Sequence, residues 1–61
     1  MLIDIINKEE LIKLLSSSSK EEASIIIEEV KNIGGNSPMI RYYKFKAWFA
    51  KNRARIEKAL R

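Results

Sequence analysis

The outright helix breakers of this chain fall within five consecutive residues. Gly34, Gly35 and Pro38 are its only glycines and its only proline. Elsewhere the backbone lacks both the freedom and the missing donor that end a helix. Nothing interrupts residues 38–61, so the spacing predicts one long C-terminal helix, about as long as two shorter ones before it.

Capping chemistry divides the first half. Asn7 accepts from orphan amides, Glu10 completes the box three residues on, and Ile6 staples against Leu11, which predicts a helix over residues 8–16. Ser16, Ser17, Ser18 and Ser19 compete with helical hydrogen bonds and form a joint. Ser19 with Glu22 is a second capping box, opening a helix expected to stop where Gly34 takes a left-handed conformation. Ser37 caps the third helix, with Pro38 at its first position. Residues 1–6, MLIDII, read as an arm or an early turn packed on the bundle. The expected architecture is all-α, a single three-helix domain over residues 1–61 with two shorter helices and a long third.

Apolar residues at helical spacing give the buried faces. On the second helix these are Ala23, Ile26, Ile27, Val30 and Ile33, and on the third Tyr42, Phe45, Phe49, Ile56 and Leu60. Glu22 and Glu29 border the first face, and Lys46 and Arg53 border the second, both at seven-residue intervals. An antiparallel fold-back predicts the pairs Glu29 with Lys46 and Glu22 with Arg53.

Several function classes recede on composition. With no Cys and no His, thiolate or imidazole metal sites and the usual nucleophilic dyads have no residues to build on, so neither metal nor cofactor is expected. The adjacent pairs Glu9-Glu10, Glu21-Glu22 and Glu28-Glu29 diverge around a helix and cannot share a substrate, so the chain does not read as an enzyme. MLIDII has no basic segment of the export type, and no uncharged run approaches the roughly 20 apolar residues of a membrane span. A cytoplasmic protein is expected, nucleoid-associated if it binds DNA.

Charge is unevenly placed. Residues 1–34 hold four basic and seven acidic side chains, residues 35–61 eight and one, for +4 overall. Such asymmetry points to nucleic acid or another acidic surface. Arg41, Lys44, Lys51, Arg55 and Lys58 fall within roughly 100° of the third helix, with Trp48 among them. Cations one turn apart suit phosphates along a groove, and an indole between them can stack. Trp48 reads equally as a core residue, with the cations an ordinary hydrated face.

The corner between the last two helices resembles a helix-turn-helix DNA-binding motif at Ile33, Gly34, Ile40 and Tyr43, the positions where such motifs place core residues. Val30 and Gly35 depart from that pattern. The resemblance implies that Ser37, Arg41 and Lys44 face DNA, with Ser37 and Arg41 nearest the bases. WFAKNRAR is similar to the homeodomain recognition helix, but an extra residue before Asn52 turns it by about 100°, toward the apolar stripe. The expected partner is double-stranded DNA, bound by a dimer of this chain in a regulatory or architectural role. The candidate contacts are Ser37, Arg41, Lys44, Trp48, Lys51, Arg55 and Lys58. The alternatives are an assembly module docking on an acidic protein, or on its own copy through Tyr43, Ala47, Ala50 and Ala54 as a homodimer; RNA or ribosome binding; and a membrane surface.

Overall fold

The computed structural model describes residues 6–61. The expectation for residues 1–6 therefore falls outside them except at Ile6, which is half-buried against the core. Three helices follow in order: α1 (Lys8–Ser16), α2 (Glu21–Lys31) and α3 (Pro38–Leu60), as the all-α reading predicts.

Their ends show which capping signals the chain uses. Asn7 Oδ1 accepts from the Glu10 amide at 2.8 Å, and Ser37 Oγ accepts from the Ile40 amide at 3.3 Å with Pro38 opening α3. The second capping box does not form. Lys20 is the N-cap of α2 and makes no side-chain cap bond. Its ammonium instead donates to the Lys58 carbonyl at 3.1 Å, and the Ser18 hydroxyl donates to the Ala59 carbonyl at 3.2 Å. The serine joint is thus drawn to the carbonyls that the end of α3 leaves without helical partners. Lys8 does the same beyond α2, donating to the Ile33 carbonyl at 2.9 Å.

Gly34 does not stop α2 by a left-handed turn. The helix ends at Lys31 with Asn32 in the right-handed region, and neither glycine has a positive φ. Close approach explains the second glycine: a Cβ on Gly35 would lie 2.8 Å from Ile40 Cγ2 and 3.0 Å from the Arg41 amide nitrogen, whereas one on Gly34 meets open space. Gly34→Ala is therefore expected to stabilise by about 0.4–1 kcal/mol through the unfolded chain. Gly35→Ala should destabilise by about 1 kcal/mol or more. Urea midpoints of the two variants check the opposite signs.

The core is Leu11 and Leu15 from α1, Ala23, Ile26 and Val30 from α2, and Phe45, Phe49, Ile56 and Ala59 from α3. Phe45 meets Phe49 edge-on at 5.7 Å and stacks on Trp48 at 6.2 Å. Tyr42, expected in this stripe, is 52% exposed. The reason is length: α3 has 23 residues against 9 and 11 in its neighbours, so at about 1.5 Å per residue they cannot cover all of it. Its first two turns project beyond the core. Ile40 and Tyr43 project with them, and six residues separate α2 from α3. The corner thus departs from the helix-turn-helix pattern, which needs those side chains inside and a turn of about 3–4 residues.

Candidate nucleic-acid interface

The two bundle neighbours of α3 divide its surface. Ile6 and Asn7, at the start of α1, share a hollow with the flank of α3 that carries Phe49, Lys46 and Arg53. The opposite flank, carrying Trp48 and Arg55, lies against α2.

Arg55 is the centre of that second contact. Its Nε and Nη2 donate to Glu22 Oε1 at 3.1 and 3.0 Å, and its Nη2 and Nη1 to Glu29 Oε2 and Oε1 at 2.9 and 3.2 Å. Nη1 also donates to Asn52 Oδ1 at 2.8 Å, and Trp48 Nε1 donates to Glu29 Oε1 at 3.3 Å. Asn52 is half-buried and its amide donates to the Trp48 carbonyl at 2.9 Å, so it faces inward as its rotated position implies. One guanidinium thus clamps both carboxylates of the α2 border. The expected pairs Glu29 with Lys46 and Glu22 with Arg53 are not the ones formed. Lys46 instead lies over the Tyr42 ring, 5.3 Å from its centroid, and Arg53 Nε donates to Glu57 Oε1 at 3.1 Å.

The clamp shifts both partners in the directions their charges require. Hydrogen bonding from Arg55 holds the Glu29 carboxyl below its ordinary 4.5, against a smaller desolvation effect, and Trp48 adds to the lowering. The bonds from Glu29 and then Glu22 raise Arg55, which stays charged throughout. A carboxyl whose folded value is depressed binds fewer protons than its unfolded counterpart. Its contribution to stability is therefore complete above about pH 4.5 and is lost as pH falls through the lower folded value. Melting from pH 6 downward, wild type should converge on Glu29→Gln as acid protonates the clamp; a constant gap between the two would contradict this assignment. The side chains are more than a third exposed, so salt should weaken the contribution.

The remaining cations of the sequence stripe are placed differently. Lys44, Lys51 and Lys58 stand seven residues apart on the outward side of α3, about 10.5 Å from one to the next. All three are exposed, as is Arg41, and none of the four has a carboxylate partner among the described residues. Between the lysines lie Ala47 and Ala54, also exposed. Glu57 is the only carboxylate on α3 and is bonded by Arg53. Ser37 is occupied as the N-cap. Of the seven candidate residues, then, Arg41, Lys44, Lys51 and Lys58 form an open row, Trp48 and Arg55 fasten the row to α2, and Ser37 starts the helix that carries it.

Sequence reasoning left Ala59 out of the core and missed the clamp as a unit. A signal was available for the clamp, because a half-buried indole needs an acceptor for its N–H, and Trp48 and Arg55 repeat at the same seven-residue interval as Glu22 and Glu29. Among the described residues no cluster of acidic side chains could hold a metal ion, and no helix is long and apolar enough to cross a membrane.

The fold and this surface define a small all-α three-helix domain with a cationic outward face on its longest helix. The chain matches no protein-family model, no curated protein and no solved structure.

Proposed function

We infer that the protein binds double-stranded DNA with the outward face of α3. The observation that carries this reading is the open row Arg41, Lys44, Lys51 and Lys58, which no carboxylate among the described residues neutralises. Glu22, Glu29 and Glu57 are held by Arg55 and Arg53. A major groove about 12 Å wide admits an α-helix. Alanines at 47 and 54 let the backbone of α3 approach, while the long lysine side chains reach outward to phosphates. Contacts of this kind position a protein without choosing a sequence, which suits an architectural or regulatory role.

Arg55 and Trp48 serve this surface from behind, by fixing the rotation of α3 about its own axis. The test is fluorescence anisotropy of a labelled duplex titrated at two ionic strengths. Affinity should fall steeply with salt, because each neutralised phosphate releases counterions. Absence of binding at the lower ionic strength would refute the reading.

A further inference from the structure

The overhanging start of α3 carries an unusual set of open side chains. Met39, Ile40, Tyr42 and Tyr43 are 67%, 42%, 52% and 63% exposed. Among the described residues only Leu14 and Ile25 are large apolar side chains of comparable exposure. Arg41 and Lys44 alternate with them in sequence and lie outside their arc on the helix, both exposed and without a carboxylate partner among the described residues. A cluster of this kind marks a binding surface more often than chance scatter.

Its charge and shape select the occupant. A second copy is disfavoured, because two-fold pairing would bring Arg41, Lys44 and Lys46 of both copies together. At 100° per residue, Tyr42, Met39, Tyr43 and Ile40 spread over roughly 160° of the helix circumference. A flat lipid surface would reach only part of that arc. A polyanion bearing detachable planar groups matches it better, since bases stack on aromatic faces while phosphates meet the cations. The two tyrosines differ in what they offer. The Lys46 ammonium lies over the Tyr42 ring at 5.3 Å, and Tyr42 also lines a hollow with Asn7 and Phe45. Tyr43 is the more exposed, and its ring is tilted 54° from that of Tyr42 at 6.2 Å, so the pair do not stack on each other.

We propose that this tip holds unpaired bases of a nucleic acid, with Tyr43 as the stacking platform and Lys44 on a flanking phosphate. The inference rests on the duplex reading above, with Lys51 and Lys58 gripping the adjoining paired segment. It names the preferred substrate as a junction between paired and unpaired strand.

Anisotropy titrations with four probes decide it: a blunt duplex, the same duplex with a single-stranded oligothymidine tail, the oligothymidine alone, and phosphatidylglycerol vesicles. Wild type should bind the tailed duplex about tenfold more tightly than the blunt one. Tyr43→Ala should erase that gain, Tyr43→Phe should keep it, and both should bind the blunt duplex as wild type does. Circular dichroism of each variant verifies the fold, which this exposed position leaves intact. Equal wild-type affinity for the two duplexes overturns the tip proposal and leaves the duplex reading standing. Binding to oligothymidine alone, with none to the blunt duplex, overturns the duplex reading and the junction with it. Tighter binding to the vesicles than to any nucleic acid overturns both.

Discussion

Replacing Lys44, Lys51 and Lys58 together by alanine should flatten the salt dependence of duplex binding by about 2.7 log units per log unit of salt. Each phosphate contact contributes a slope of about 0.9, and four open cations give the wild type about 3.6. Between 50 and 200 mM salt the wild type should then lose about 150-fold in affinity and the triple variant only about 3.5-fold. All three lysines are exposed and their ammonium groups bond to no other described residue, so the variant should keep its helical circular dichroism. The same substitutions should leave melting temperature almost unchanged, since surface changes of this type fall within about 0.5 kcal/mol. An unaltered slope would show that these side chains do not meet phosphates. Arg55 is unsuitable for such a series, because its removal would also leave Glu22 and Glu29 facing the row.

Ile56→Ala should come close to unfolding the domain at 25 °C. Ile56 is fully enclosed, and truncating such a side chain costs about 2–5 kcal/mol from lost transfer energy and the cavity left behind. A chain of 61 residues has a total stability of only about 3–9 kcal/mol at the usual 0.05–0.15 kcal/mol per residue. Ile25→Ala is the control, because Ile25 is 52% exposed and its loss should cost less than about 0.5 kcal/mol. Urea denaturation followed at 222 nm reads both. A cost below about 1 kcal/mol at Ile56 would mean that α3 is not held where its packing places it.

Much of this architecture was legible before any coordinates, for a specific reason. Asn7, Ser37 and Pro38 act locally on the amides beside them, so their roles follow from neighbours in sequence. Ala23, Ile26, Val30, Phe45, Phe49 and Ile56 follow from helical spacing, which needs no knowledge of where the other helices lie. The second capping box failed because Lys20 and Ser18 are engaged by carbonyls some forty residues away, a competition no local rule can see.

Handedness was the other blind spot, and it governs the candidate site. A helical wheel identifies the apolar stripe of α3 but not which of its flanks receives α2. Both flanks carry residues at seven-residue intervals, Lys46 and Arg53 on one and Trp48 and Arg55 on the other. The carboxylates at 22 and 29 were matched to the first and meet the second. That choice changes which cations stay open. It removes Arg55 from the five-membered stripe and leaves a row of four.

The clamp at Arg55 has an effect on how the molecule approaches a partner. Arg55 offsets one of the two charges on Glu22 and Glu29, and over residues 1–34 seven acidic side chains outweigh four lysines by three. The unbalanced positive groups lie along α3. Such separation gives the folded protein a large electric moment, so the field of a polyanion exerts a torque on it at distances of about 10 Å, the screening length at 0.1 M salt. The protein would turn its cationic helix forward during diffusion, before any contact is made, and a larger share of collisions would arrive already oriented.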